Sequence, residues 1–443
     1  MGQSGQSRFS RCDAMIPSSR MIWVVAVVGF PAAALAALSA EARVGALVCL
    51  AVLAVIILVD VRGRGLEGVR VELPELVRMF KDRAAEIRVR VHRGSAKRVR
   101  IGVVVPEGIR APFEETDVDL PSEISEFTWS WIAHRRGLYR VEWVYLEAAS
   151  PWGMWQVRRK DAVAMEIRVY PNLRRTEDLK ALRQGVSGMH ALRQIGRGRE
   201  FEKLREYMPG DSLDEIHWKA TARRGKPITK VFQVERTQEV YVIIDSSRLS
   251  ARAAGEETGL ERAIAAALIL GAAAEKRGDL FGLAAFSDSV EAFVRARNGK
   301  AHYAACRDAI YQLHPKAVSP DFDEIATFLR LRLRRRALLL FLTSLDDPVL
   351  AENFARATKL LARRHLVLAG MLRPSSARPL FSGDVESAED VYRDLAGHLS
   401  WKRLRELERS LARQGVRLSV IDPANFSGGL IGIYDSVKQR QLL

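Results

Sequence analysis

At 443 residues the chain has room for about three domains of ordinary size, and 48% hydrophobic with 28% charged residues is a globular balance that excludes wholesale disorder. Lys+Arg 69 against Asp+Glu 53 leaves a net charge of +16, which favours anionic surfaces such as acidic lipid headgroups, nucleic acid or an acidic partner. The three cysteines, Cys12, Cys49 and Cys306, form no C-x-x-C pair, so a disulfide framework and a cysteine zinc site are excluded and a reduced, cytosol-facing body is the simplest reading.

Residues 1–20 read as a cytoplasmic N-terminal tail, and residues 21–61 as a transmembrane helical hairpin. The run 21–40 carries no charge, Glu41-Ala42-Arg43 forms a short link, and a second apolar run covers 44–59. Each run is near the lower limit of about 17–20 residues for crossing a bilayer core. A cleaved signal peptide is the competing reading of the first run. The second run argues against it, because two joined spans satisfy every backbone group inside helices. Arg8, Arg11 and Arg20 precede the hairpin and Arg62, Arg64, Arg70, Arg78 and Lys81 follow it, against Arg43 alone in the link. Both ends therefore face the cytoplasm, and the expected location is the inner (cytoplasmic) membrane as a multi-pass protein. Pro31 is tolerable in a membrane helix and is expected to kink it.

From 66 to 172 short stretches alternate with period two and are rich in Val, Ile, Tyr and Trp between Gly and Pro. That pattern predicts antiparallel strands and a β-sandwich domain. Trp129, Trp131, Tyr139, Trp143, Tyr145, Trp152 and Trp155 lack the glycine-aromatic signature of an RNA-binding sheet and are expected to pack in the core. Residues 173–236 are neither cleanly helical nor cleanly β and form a basic connector. From 237 to 443 strands and helices alternate: strands at 241–245, 280–287, 337–344, 365–372 and 416–422, and helices at 260–278, 300–313, 322–333, 349–363 and 391–414. This rhythm predicts a doubly wound α/β domain with a mostly parallel sheet.

Open α/β sheets carry their functional residues at the carboxyl ends of strands. The first such end reads Asp245-Ser246-Ser247-Arg248-Leu249. It resembles the start of the D-x-S-x-S signature of von Willebrand factor type A domains, in which a carboxylate and two hydroxyls help to hold a divalent metal. The resemblance implies a metal site at Asp245, Ser247 and Ser344, and oxygen-only ligation suits Mg²⁺. Leu249 stands at the third signature position, with Ser250 one place out of register, and Ser344 occupies the place of the family's second Asp, so the site is degenerate. A serine-rich turn that caps its helix is the competing reading.

A more specific signal precedes this domain: Gly196-Arg197-Gly198-Arg199-Glu200-Phe201, Lys203-Leu204-Arg205-Glu206-Tyr207, Pro209-Gly210-Asp211, then Ile216-His217-Trp218-Lys219-Ala220-Thr221-Ala222-Arg223. With the hairpin, His134-Arg135-Arg136-Gly137-Leu138-Tyr139, Ser150-Pro151-Trp152-Gly153 and the C-terminal residues from Tyr434, the chain resembles the bacterial family catalogued as domain of unknown function 58 (DUF58) over nearly its whole length. Asp214 departs from that pattern, where many members carry a basic residue. The resemblance implies an adaptor that works with a separate MoxR-type AAA ATPase.

Physically, Gly210 suits a turn needing positive φ, Asp211 can cap or accept from Arg205 or Lys219, and Trp218 offers a large apolar anchor. Tyr207, Gly210, Asp211, His217, Trp218, Lys219 and Arg223 are the candidate partner-binding residues. Residues 193–236 hold 11 Lys/Arg against 7 Asp/Glu with the signs interleaved, which favours a salt-bridged docking surface over a nucleic-acid track. A second basic cluster, Arg330, Arg332, Arg334, Arg335 and Arg336, can also touch anionic lipid, each residue being worth roughly 1 kcal/mol near the surface. There is no G-x-x-x-x-G-K-[ST], H-E-x-x-H or G-x-S-x-G, and the eight histidines form no local ligand pair.

The resulting expectation is a membrane-anchored, non-enzymatic adaptor. Two rivals remain. One is a metal-dependent hydrolase or nuclease built on Asp211, His217 and Asp245. The other is a structural or lipid-sensing envelope scaffold, which needs only the hairpin and the basic face.

Overall fold

The computed structural model describes residues 14–38, 40–62, 65–173, 195–196, 200–208, 216–233, 238–255, 257–380 and 387–440. Its contacts divide the chain into two compact units, Met1–Asn172 and Leu173–Leu443.

The first unit begins with β1 (Ala14–Pro17), followed by α1 (Ser19–Val24), a π-helical turn (Val25–Gly29), α2 (Phe30–Leu38) and α3 (Ala40–Arg62). Ser18 starts α1 as its N-cap, accepting from the Met21 amide. The stretches Ser19–Ala37 and Arg43–Asp60 are each long and apolar enough to cross a membrane, with only 6% and 17% of their residues buried. Outward Phe30, Leu47 and Val44 are therefore suited to lipid. Pro31 follows directly on the π-helical turn Val25–Gly29, and the Phe30 amide returns to α-type bonding with the Ala26 carbonyl. Within the N-terminal tail expected over 1–20, residues 14–17 form β1, paired antiparallel with β10 (Trp155–Tyr170).

Between these lie β2 (Arg70–Glu72), β3 (Leu76–Phe80), β4 (Ala84–His92), β5 (Arg98–Val103), β6 (Ile109–Arg110), β7 (Glu115–Asp119), β8 (Ile124–Ala133) and β9 (Gly137–Ala149). They make two sheets. One runs β1-β10-β9-β5-β7 with β3 beside β10, and the other runs β2-β4-β8-β6. The two bury a shared core that includes Val89, Val91, Ile101, Val144, Ile167 and Trp131. This is the sandwich-like arrangement that the alternating pattern predicts. Trp129 and Trp131 pack in that core edge-on at 5.7 Å between ring centroids.

Not all of the aromatics are core. Tyr145 is 43% and Trp152 53% exposed. A register irregularity between Ala162 and Met165, opposite Trp143, shifts the inward parity of β9 from Val141 to Val144. Trp143 then leaves the inward row and Lys160 lies over its ring at 3.9 Å.

The second unit opens with a small sheet of β11 (Ile195–Gly196), β12 (Glu200–Glu206) and β13 (Ile228–Gln233), with α4 (Trp218–Arg224) between the last two. Where it is described, the connector of irregular pattern holds three antiparallel strands and one short helix. Then come β14 (Glu239–Asp245), the short pair β15 (Ala253–Ala254) and β16 (Glu257–Thr258), α5 (Gly259–Lys276), β17 (Leu280–Phe286), β18 (Val290–Arg297), α6 (Lys300–Ile310), α7 (Phe322–Arg332), β19 (Ala337–Leu342), α8 (Pro348–Ala362), β20 (Leu366–Leu372), α9 (Ala388–Arg413), β21 (Val416–Ile421) and α10 (Phe426–Gln439).

The main sheet has the order β18-β17-β14-β19-β20-β21, parallel except for the edge strand β18. Strand β19 is buried along its whole length because helices cover both faces. Its residues alternate between two cores. Leu339 and Phe341 join Phe354, Leu361 and Leu411, whereas Leu338, Leu340 and Leu342 join Ile264, Leu268 and Leu430. The strand order reverses between β14 and β19, which places the crevice of a doubly wound sheet at their carboxyl ends.

Candidate functional site

A cavity of about 380 Å³ lies at that crevice, lined among others by Asp245, Ser250, Arg252, Thr343, Ser344 and Arg373. Asp245 ends β14 and is 2% exposed. Its Oδ1 accepts from the Ser247 amide at 2.8 Å, and its Oδ2 accepts from Thr343 Oγ1 at 2.6 Å. Burial is the main influence on this carboxyl and raises its pKa above 3.8; the bonds from Thr343 and Ser247 oppose that without cancelling it. Ser247 Oγ accepts from the Leu249 amide at 3.4 Å, so it serves as N-cap of the short 3₁₀ turn at 248–251. Ser250 Oγ donates to the Ser247 carbonyl at 2.7 Å. At the cavity rim Arg252 pairs with Asp346 at 2.6 Å.

Of the three residues expected to hold a metal, Asp245 and Ser247 are brought together, while Ser344 only lines the same cavity. The hydroxyl that reaches Asp245 belongs to its neighbour Thr343, which is buried just past the end of the all-apolar strand β19. These donors do not fit a Mg²⁺ centre, which favours several charged or strongly polar oxygens. Of the two carboxylates lining the cavity, Asp346 is paired with Arg252 and Asp245 has both oxygens already bonded, and among the described residues no three His, Cys, Asp or Glu side chains gather to hold an ion.

The second candidate region is the connector. Gly210 and Asp211, like Asp214, lie outside the described residues. The Tyr207 amide bonds the Pro227 carbonyl at 3.0 Å, which seats this half-buried tyrosine at the end of β12. His217 is the N-cap of α4: its Nδ1 accepts from the Ala220 amide at 3.1 Å. Such use of the ring leaves the histidine a structural task and weakens the hydrolase reading. Gly225 closes the helix in the left-handed region at φ 68, where a glycine is favoured. Ile216 and Ile228 are buried beneath, and Thr221 Oγ1 accepts from the Ile228 amide at 3.0 Å. On this fixed base Trp218 stands 70% exposed, with Lys219 and Arg223 exposed one helical turn apart.

Two of the other motifs hold turns. In 134–139, His134 Nδ1 lies 3.0 Å from Asp82, Tyr139 donates to the Arg135 carbonyl at 3.0 Å, and Arg136 is buried. Tyr434 donates to the buried Asp279, which also pairs with Lys438 at 2.7 Å.

The fold and this crevice define a hairpin-bearing protein with a sandwich and a von Willebrand factor type A-like α/β domain. Residues 203–389 match the model of the family described as "Protein of unknown function DUF58". Uncharacterized proteins of Mycobacterium tuberculosis and Mycobacterium bovis are 28% identical over 178 residues, 39% of this chain. The chain spans 55% of the length of those relatives. Among solved structures, the SpRpn10 VWA domain is similar at 13% identity, covering 44% of this chain and 95% of that one, with a TM-score of 0.28. An aerotolerance-related membrane protein from Bacteroides fragilis is similar at 14% identity, covering 45% of this chain and 98% of that one, with a TM-score of 0.29.

Proposed function

We propose that this protein is a membrane-anchored, non-enzymatic adaptor whose DUF58 domain presents a docking surface to a MoxR-type AAA ATPase in the cytoplasm. The observation that carries the reading is Trp218, 70% exposed on a capped helix beside Lys219 and Arg223. A tryptophan held rigidly in solvent with flanking cations has the make-up of an interface hot spot. The crevice supports the same reading, since the one buried acid there is occupied by internal bonds. The partner class rests on the family resemblance, and a system whose motor is a separate chain fits a sequence with no phosphate-binding loop.

A lipid-sensing scaffold is the second reading, favoured by Leu331, 74% exposed among exposed Arg330, Arg332, Arg334 and Arg335. Capture of the tagged full chain from its native membrane separates the two. The adaptor reading expects an AAA ATPase to copurify with wild type, and expects Trp218→Ala and the double change Lys219→Glu/Arg223→Glu to lose it without lowering thermal stability. Absence of any AAA ATPase, or capture untouched by both variants, would sink the reading.

A further inference from the structure

We propose that the turn between β9 and β10, Ser150–Met154, is a membrane-docking surface that seats Trp152 in the lipid headgroup layer, with Asp60 clamping the hairpin to the sandwich. The inference rests on Ser19–Ala37 and Arg43–Asp60 being membrane spans.

Asp60 closes the second apolar stretch, where an acidic side chain would ordinarily turn to water. Here it is 2% exposed. Its Oδ2 accepts from Ser150 Oγ at 2.5 Å and the Met154 amide at 3.0 Å, and its Oδ1 accepts from the Trp152 amide at 2.9 Å. Three donors from one tight turn compensate a buried carboxylate, which a loose surface contact would not do. The other strand of the hairpin is tied to the same turn. Ser18, the residue before α1, donates through Oγ to the Gly153 carbonyl at 2.6 Å, and its amide bonds the Met154 carbonyl at 2.9 Å. Gly153 adopts φ 74, so the turn itself calls for glycine.

Both points at which the hairpin joins the sandwich therefore fall on this turn, and the edge of the apolar spans fixes its level. The side chains at that level are those of a bilayer interface. Trp152 is 53% and Trp23 70% exposed. Trp155 Nε1 donates to the Ile57 carbonyl of α3 at 3.2 Å. The exposed Arg20 lies over Gly153, where an added Cβ would meet its Nη1 at 3.2 Å. Tryptophans with an arginine at the end of a span match the aromatic belt and its basic flank. The opposite end of the sandwich, at His134 and Asp82, is separated from the turn by the 13 residues of β9. At ~3.3 Å per residue that is roughly 40 Å.

The test uses the full chain with Cys12→Ser and Cys49→Ala, Cys306 being buried. It is reconstituted in phosphatidylethanolamine/phosphatidylglycerol vesicles. An environment-sensitive fluorophore is placed at Trp152→Cys, at Leu47→Cys in α3, or at His134→Cys. Lipid brominated near the headgroup should quench the label at 152, lipid brominated near the chain end should quench the label at 47, and aqueous iodide alone should quench the label at 134. A label at Met154→Cys, with Trp152 kept, should behave like that at 152 and serves if Trp152→Cys fails to insert. Labels at 152 and 154 open to iodide and blind to bromolipid, with 47 in hydrocarbon, would overturn the docking turn while leaving the spans intact. A label at 47 in water would overturn the spans and the proposal with them.

Discussion

Asp245 shows how a residue type can signal one chemistry and be used for another. The carboxylate sits at the strand end where a metal ligand is expected, but it is internal structure: one oxygen caps the turn through Ser247 and the other holds Thr343 on the neighbouring strand. Burial raises its pKa above 3.8. An acid that holds its proton more tightly in the folded state lends stability at low pH, and that contribution is lost as pH rises from 3.8 through the folded-state value. Asp245→Asn should therefore be at least as stable as wild type at neutral pH, with a thermal midpoint that changes less as pH rises through that window. Asp245→Ala leaves the Ser247 amide and the Thr343 hydroxyl unpaired and should cost about 1–3 kcal/mol. Thermal unfolding of both variants across pH checks this. An Asn variant as unstable as the Ala variant at neutral pH would show that the ionised carboxylate is a net stabiliser. From sequence, Asp245 and Ser247 were legible through their spacing. Thr343 was not, because a threonine closing an apolar strand looks the same whether or not it reaches across to a neighbour.

At the scale of elements, long runs of one period were readable and short or glycine-bearing ones were not. The paired apolar runs give α1 to α3, and strands such as β14 and β19 are buried on both faces and read as unbroken hydrophobic runs. β1 was missed since four residues carry too little pattern, and β18 because Glu, Arg and apolar residues mix on a half-covered edge. Helix α10 contains Gly428, Gly429 and Gly432, which lower helix propensity and resemble a loop. Packing explains two of them: a Cβ on Gly429 would come within 2.6 Å of Ile421, and one on Gly428 would run into the Asn425 side chain. Tertiary contacts hold the helix instead. Tyr434 donates to Asp279, Lys438 pairs with the same acid at 2.7 Å, and Arg277 pairs with Asp435. Removing the hydroxyl by Tyr434→Phe takes a donor from a carboxylate that is 1% exposed and should cost about 1.5–3 kcal/mol. Hydrogen exchange should then accelerate first across Phe426–Gln439, with β14 still protected. Equal acceleration in both would mean that the helix does not open as a separate unit.

For the whole molecule, the orientation of the hairpin decides which compartment supplies the partner. Arg20 stands at the N-terminal edge of the first apolar stretch and Arg62, Arg64 and Arg70 follow the second, whereas the turn from the first stretch into the second carries Arg43, two residues after Glu41. Basic residues are retained on the cytoplasmic side, so the asymmetry predicts an orientation with the charged soluble units on that side. The body that follows is strongly cationic in a chain of net charge +16, which also suits the anionic cytoplasmic leaflet. Protease added to inside-out membrane vesicles should digest the sandwich and α/β units, and sealed right-side-out vesicles should protect them. The charge argument makes a second demand. Placing Lys at positions 40 and 42, as Ala40→Lys/Ala42→Lys, brings the link to a basic count comparable with the N-terminal flank and should leave a fraction of molecules with the first span uninserted or inverted, seen as partial protection in inside-out vesicles. Full digestion in right-side-out vesicles of wild type would reverse the orientation and rule out a cytoplasmic ATPase as the partner.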